Sequence, residues 1–131
     1  MNDVEILIPT YNEEENIETV IKELNNNGFF QITLLDANST DLTVEIGKKY
    51  NCKIISDNDE IKGFGGSVIN GLNHVKSEYF CIFDGDGSFN SDDISKMRNK
   101  ILEGYDFIFA SRYLNGEISE DDDIFSKFGN F

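Results

Sequence analysis

Two carboxylates one residue apart, Asp84 and Asp86, close an apolar run and stand among small residues, in Tyr79-Phe-Cys-Ile-Phe-Asp84-Gly-Asp86-Gly-Ser-Phe-Asn90. Acids at that spacing can share a hard divalent cation, and a cation there neutralises a diphosphate that the acids alone would repel. The five apolar residues before them, three aromatic, read as a strand covered on both faces, because side chains pointing both ways must all be hidden. The acids then lie at the carboxyl end of that strand, the edge where open α/β sheets bind ligands. A metal-bridged nucleotide is the chemistry this arrangement implies. Two other readings stay open. Asp-Gly is a favoured turn pair, and acids follow strands wherever a turn must be solvated. Asp84, Asp86, Ser88, Asn90 and Asp93 also fall at positions 3, 5, 7, 9 and 12 of a calcium loop, with Gly87 at its tight turn. Ile82 would then hold position 1 with no side-chain oxygen, and a strand rather than a helix would lead in.

Two further stretches could touch a ligand. Gln31-Ile-Thr-Leu-Leu-Asp36 reads as a strand that also ends in an acid, and the following Ala37-Asn-Ser-Thr-Asp41 is rich in side chains that bond their own backbone. Gly63-Phe-Gly65-Gly66-Ser67 precedes a helical spacing of Val68, Ile69, Leu72 and Val75. Glycines at a helix start let backbone approach a ligand, or let the loop move. The run is not a phosphate-loop signature, so it is weak alone.

These residues need a frame. Val4-Glu-Ile-Leu-Ile-Pro9 reads as a first strand that Pro9 must end, since proline cannot donate to a central ladder. Asn12 and Glu15 have capping-box spacing, and Ile17, Val20, Ile21 and Leu24 share one face of a helix from about residue 13 to 26, stopped at Gly28. Asp41 is placed to cap a second helix bearing Leu42, Ile46 and Tyr50. Cys52-Lys-Ile-Ile-Ser56 reads as a third strand. After the acids, Ser91-Asp-Asp opens a helix with Ile94, Met97 and Ile101 inward, closed near Gly104, and Phe107-Ile-Phe-Ala110 reads as a fifth strand. Strand and helix alternate, which predicts an α/β fold with a mostly parallel sheet and helices on both faces. Asp36, Asp84 and Asp86 would share one crevice.

At 131 residues the chain suits one domain. Eleven Lys and Arg against 25 Asp and Glu leave a formal charge of −14, which argues against non-specific binding to nucleic acid or anionic lipid. A phosphate ligand would need a cation to mediate. No signal peptide or membrane span is legible, so the expected location is the cytoplasm, with peripheral association at the cytoplasmic face of a membrane left open. Cys52 and Cys81 lack CxxC spacing and read as reduced packing residues, and His74, the one histidine, reads as a surface residue near a helix end.

Five blocks in register resemble family-2 glycosyltransferases of the GT-A fold: Ile8-Pro-Thr-Tyr-Asn-Glu13, Asp36 to Thr43, Gly63 to Ser67, Asp84-Gly-Asp86, and Ser111-Arg112-Tyr113. The last block, with Phe125 to Asn130, is most similar to the dolichyl- or polyprenyl-phosphate mannose and glucose synthases. The resemblance implies a Rossmann-like GT-A nucleotide-sugar-binding domain over residues 1–113, with 114–131 an acidic loop and the start of an acceptor-side segment. It implies an inverting hexosyltransferase that moves sugar from a UDP- or GDP-sugar to a polyprenyl phosphate. Mg²⁺ or Mn²⁺ would sit at Asp84 and Asp86, which match the family's DXD motif. Pro9, Tyr11, Glu13, Asp36, Gly65 and Asp84 would contact the nucleotide. Asp84, Asp86 and Arg112 would serve catalysis, Arg112 facing phosphate with its planar fork of donors.

This sequence departs from the family at Ala37, where a second acid is usual, and at Ser88, where the synthases often carry Gln. Family members of this kind run on past residue 131, so a C-terminal truncation is expected. A nucleotide-sugar-binding remnant without turnover is the alternative, and a calcium-loop interaction module is another. Sugar nucleotidyltransferases share the architecture, but their glycine-rich basic N-terminal loop is replaced here by Pro9-Thr-Tyr-Asn.

Overall fold

The structure, a computed structural model, describes residues 3–58, 60 and 63–110. Met1–Ile94 forms one compact unit and Ser95–Phe131 a second. Strands β1 (Val4–Thr10), β2 (Ile32–Asp36), β3 (Lys53–Ser56) and β4 (Tyr79–Ile82) make a parallel sheet in the order β3-β2-β1-β4. Helices α1 (Ile17–Asn26), α2 (Thr43–Lys49), α3 (Gly63–Leu72) and α4 (Asp92–Leu102) alternate with the strands. The α/β class and the parallel sheet follow the expectation from periodicity.

The two central strands carry the core, with every residue of β2 and all of β1 except Pro9 buried. Neighbouring residues of one strand point to opposite faces, so Leu34 and Leu35 meet different helices. A Cβ on Gly47 of α2 would lie 2.4 Å from Leu34 Cδ1, and one on Gly71 of α3 would lie 2.6 Å from Leu35 Cδ1. Glycine thus lets one helix on each face sit hard against the sheet. On the α3 face Leu7, Leu35, Ile55 and Val68 cluster, with Leu72 and Val75 packed against them. On the other face α1 buries Ile17, Val20, Ile21 and Leu24, as its spacing predicts. Its end is a Schellman turn: Gly28 takes φ 85°, Gly28 N–H bonds Asn25 O, and Phe29 N–H bonds Leu24 O at 2.9 Å.

Glu5, which interrupts the apolar pattern of β1, is buried on the α3 face. It accepts the Thr33 hydroxyl at 2.7 Å, lies 3.7 Å from Lys53 Nζ, and receives Lys76 N–H at 3.4 Å. Lys53 also donates to His74 O at 2.9 Å. A polar row, buried at Glu5 and Thr33 and exposed at Lys53, therefore ties three strands to the chain that follows α3.

Several expectations are corrected. β1 does not end at Pro9 but runs to Thr10, with Pro9 paired to Leu35. Ile6 N–H and Thr10 O face β2, whereas Leu7 O accepts Phe83 N–H on the β4 side. Pro9 shares the parity of Leu7 and lies beyond the last pair, Leu7 with Ile82, so its missing N–H costs no ladder bond. The capping box at Asn12 and Glu15 does not form. Helix α1 starts at Ile17, because Asn12 is recruited by a distant loop described below. Leu42 and Ile69 are exposed, Val68 is buried as expected, and Thr43, Gly47, Ser67 and Gly71 are the other inward positions of α2 and α3. Among the described residues β4 is not covered on both faces: Phe80 and Ile82 are exposed. Among the described residues β4 pairs with β1 alone, so it forms an edge. Residues 107–110 form no strand, there being no ladder partner for them among the described residues.

In the second unit α4 runs to Leu102 and closes at Gly104, which takes φ 104° and donates to Ile101 O. Both cysteines are free and half-buried, and burial pushes each thiol up to about 11. His74 is exposed just past α3, its Nδ1 2.9 Å from Asn70 O.

On the solvent side of α1 the Glu18 carboxylate receives the Tyr50 hydroxyl, Lys22 Nζ at 3.0 Å and Lys49 Nζ at 3.3 Å. The Tyr50 hydrogen bond, then those from the lysines, hold its carboxyl down to about 2 from an ordinary 4.5. A lowered folded pKa gives stability that is present above 4.5 and lost as pH falls toward 2. Wild type and Glu18→Gln should therefore differ most in thermal midpoint above pH 4.5 and converge by about pH 2. A gap that does not narrow over that range would refute the assignment.

Candidate functional site

Parallel strands put all four carboxyl ends on one edge of the sheet. The chain steps from β1 outward to β2 and β3, then returns to the other side of β1 for β4. The order reverses between β1 and β4, and that is where an open α/β sheet offers a crevice.

The residues singled out from sequence lie along this edge. Pro9 is half-buried in β1, Tyr11 follows the strand and is 60% exposed, and Glu13 is half-buried two residues on. Asp36 is the last residue of β2 and only 2% exposed. Gly65 is exposed in the first turn of α3, with nothing within 4 Å of where a Cβ would be. Asp84 is half-buried and Asp86 exposed, both just past β4. Asp36 and Asp84 extend strands on either side of β1, two strand spacings or about 10 Å apart. Arg112 and the acidic segment 114–131 lie outside the described residues. Ile82 is the last residue of β4, so a strand enters the acidic loop where a calcium loop would have a helix.

The loops after β1 and β2 hold each other. Asn12, at φ 55°, donates its N–H to Ser39 Oγ at 3.0 Å and accepts Thr40 N–H on its side-chain oxygen at 2.8 Å. Glu14 N–H bonds Asp41 Oδ2 at 3.0 Å, while Glu14 Oε2 accepts Leu42 N–H at 2.9 Å. Glu13 N–H bonds the Thr43 hydroxyl at 2.8 Å, and that hydroxyl donates to Asp41. Asp36 accepts Ser39 N–H at 3.1 Å. Asp41 also accepts Thr43 N–H at 3.0 Å, but the N-cap of α2 is Leu42 and not Asp41 as expected, because Asp41 is spent on holding Glu14 and the Thr43 hydroxyl one residue before the cap. These bonds tie the two loops to each other, and Tyr11 beside them is exposed.

Sequence reasoning missed several residues here. Asp57, one past β3, is buried; its Oδ2 accepts the Ser67 hydroxyl of α3 and its Oδ1 has no hydrogen-bond partner. Thr10 Oγ1, at the end of β1, is likewise buried and unpartnered. Native proteins leave few such atoms. Both of these lie at the carboxyl edge, where a bound molecule would supply donors. Gly85, between the two acids, is pinched: a Cβ there would meet Ile8 Cγ2 at 3.3 Å, Thr10 Cγ2 at 3.4 Å and Glu13 Cγ at 3.6 Å. The close approach seats the acidic loop on β1 beside Glu13. The pattern Asp-Gly-Asp shows only that the middle residue is small, not what it is small for.

Asp84 and Asp86 are hard oxygen donors, and Asp86 spends Oδ1 on Ser88 N–H at 2.9 Å. Among the described residues no group of three or more His, Cys, Asp or Glu side chains is close enough to hold a metal ion. A donor set of two carboxylates fits Mg²⁺ or Mn²⁺ bound jointly with ligand phosphate oxygens and waters, rather than in an all-protein cage.

The profile of glycosyl transferase family 2 matches residues 5–124. Glycosyltransferase AglJ of Haloferax volcanii is 33% identical over 109 residues, covering 82% of this chain and 35% of that protein. The dolichol-phosphate mannosyltransferase of Pyrococcus furiosus is 33% identical over 120 residues, covering 86% and 34%. The chain thus spans about a third of the length of these two relatives. Glucosyl-3-phosphoglycerate synthase from Mycobacterium tuberculosis, solved with Mn²⁺, UDP-glucose and phosphoglyceric acid, superposes with a TM-score of 0.66 at 19% identity, over 79% of this chain and 40% of that one. That likeness is one of fold.

Proposed function

Because the chain belongs to glycosyl transferase family 2, we propose that it is the sugar-nucleotide half of an inverting, divalent-metal-dependent hexosyltransferase, with a UDP- or GDP-sugar as donor and a polyprenyl phosphate such as dolichyl phosphate as acceptor. The observation that carries this is that Asp36 and the Asp84–Asp86 pair stand at one sheet edge, the first ending β2 and the pair just past β4, the strands that flank β1.

Asp36 accepts a ring N–H of the base, with Tyr11 and Pro9 against the nucleoside and Gly65 leaving room for the approach of backbone. Asp84 and Asp86 hold the cation and through it the diphosphate; when bound, the cation supplies Lewis-acid stabilisation of the leaving nucleoside diphosphate. Arg112 faces phosphate, a role that rests on its place in the family's motif. Residues 1–113 make the sugar-nucleotide portion, and 114–131 begin the acceptor side. A phosphate acceptor is anionic near neutral pH and attacks the anomeric carbon in line without a general base. The dolichol-phosphate mannosyltransferase relative supports the lipid phosphate, and the Mn²⁺ and UDP-glucose of the solved synthase support the metal and the donor. Such an acceptor would bring the enzyme to the cytoplasmic face of a membrane. Among the described residues no helix is long and apolar enough to cross one.

A thermal-shift screen of UDP- and GDP-sugars with and without Mn²⁺ tests this reading. A ligand at 100 times its dissociation constant adds about 2.7 kcal/mol of stability. Stabilisation by neither class of sugar nucleotide, with or without Mn²⁺, would refute it. Binding with neither transfer of the sugar to a polyprenyl-phosphate acceptor nor release of nucleoside diphosphate would leave a sugar-nucleotide-binding protein and remove the transferase.

A further inference from the structure

The acidic loop is gripped from behind by α1. Its near end is Phe83, buried and in ring contact with Phe89 at 6.0 Å. Its far end is Ser91, fully buried. Ser91 N–H donates to Glu23 Oε1 at 3.0 Å, its hydroxyl donates to the same oxygen at 2.7 Å, and the hydroxyl oxygen accepts Asn27 Nδ2. Every polar group of Ser91 except its carbonyl is spent on Glu23, in the last turn of α1 and 68 residues away, and on Asn27, the cap of that helix, 64 residues away. The carbonyl accepts Ile94 N–H in the first turn of α4. Between the two anchors Gly85 is pinched on β1, Ser88 N–H bonds Asp86, and Asn90 Oδ1 accepts Asp92 N–H at 2.8 Å.

We propose that Glu23 and Ser91 are positioning residues for the metal and diphosphate site: they touch neither ligand, and they set where Asp84 and Asp86 stand by fixing the return of the loop that carries them. This rests on the reading of those acids given under Proposed function. A loop held at both ends loses little freedom when the cation and diphosphate arrive, so the clasp raises metal affinity by preorganisation. Hydrogen bonds made directly to metal ligands change metal affinity 10- to 100-fold when removed, and anchors one step further out belong at the lower end of that range, about tenfold. One carboxylate oxygen takes both Ser91 donors, so an acceptor oxygen is required there and a negative charge is not.

The test is calorimetric titration of Mn²⁺ into the chain with UDP or GDP present, beside titration of each nucleotide without metal. Ser91→Ala and Glu23→Ala are each expected to raise the Mn²⁺ concentration for half-saturation about tenfold, with metal-free nucleotide affinity unchanged. Glu23→Gln, which keeps an acceptor oxygen, should stay within about twofold of wild type. Glu23→Ala leaves the buried Ser91 site filled, so it serves if Ser91→Ala fails to fold. An unchanged Mn²⁺ half-saturation in the alanine variants overturns the proposal. So does an equal loss of metal-free nucleotide binding, which would mark the clasp as a general strut. Failure of wild type to bind Mn²⁺ with either nucleotide would instead sink the reading of the acids, and this proposal with it.

Discussion

Asp86→Ala should lose the whole of the Mn²⁺-dependent stabilisation by a sugar nucleotide while folding like wild type. Asp86 is exposed and, among the described residues, accepts the N–H of Ser88, itself exposed, so its removal should move unliganded stability by no more than about 0.5 kcal/mol. Of the two acids it stands farther past the end of β4, and its removal takes away one of the two carboxylate donors through which a hard cation of this kind is held beside phosphate oxygens. At a ligand concentration that stabilises wild type by about 2.7 kcal/mol, the variant should show almost none of that gain. In a catalytically complete protein, turnover should fall about 100-fold or more, the scale on which removing one charge-stabilising group acts. A variant that keeps the Mn²⁺-dependent shift would mean that the cation is held elsewhere.

Glu5→Ala should be the most damaging single change to the fold among the polar residues of the sheet. Thr33 is 1% exposed, and its hydroxyl would be left without the acceptor it has now. A stranded buried donor costs about 1–3 kcal/mol, and the emptied volume beneath the chain that follows α3 adds to that. The Lys53 contact, at 3.7 Å with Lys53 45% exposed, adds little. A total near 3 kcal/mol should lower the thermal midpoint by about 10–20 °C in a domain of this size. Glu5→Gln keeps an oxygen for Thr33 and should melt within a few degrees of wild type. If Gln destabilises as much as Ala in urea and thermal melts, the charge rather than the hydrogen bond is what matters.

How much of this could be read from residue order alone divides by distance along the chain. The β–α alternation and the acids at strand ends were legible, because hydrophobic period and turn chemistry are local. The inward face of α1 and the turn at Gly28 were legible for the same reason. Pro9 misled because whether a strand can spare an N–H depends on which neighbour that N–H faces, a matter of register. Asn12 and Glu15 have the spacing of a cap, yet Asn12 is drawn to Ser39 and Thr40, and no local rule weighs a rival that far away. Leu42 and Ile69 have helical spacing without burial, because glycines on the same helices take the places nearest the sheet. Phe107 to Ala110 has strand composition but no strand, since a ladder needs a second edge as well as a sequence. Glu5 was visible only as an interruption, and the clasp at Ser91 was not visible at all.

The mutual hold of the loops after β1 and β2 has a consequence for descent. Asn12 leans on Ser39 and Thr40, and Glu14 on Asp41 and Leu42, in bonds that run in both directions. Neither segment can drift alone without stranding groups in the other. A lineage that turned this scaffold toward a different guest would have to pass through paired exchanges, or first loosen both halves and accept a less faithful ancestor on the way.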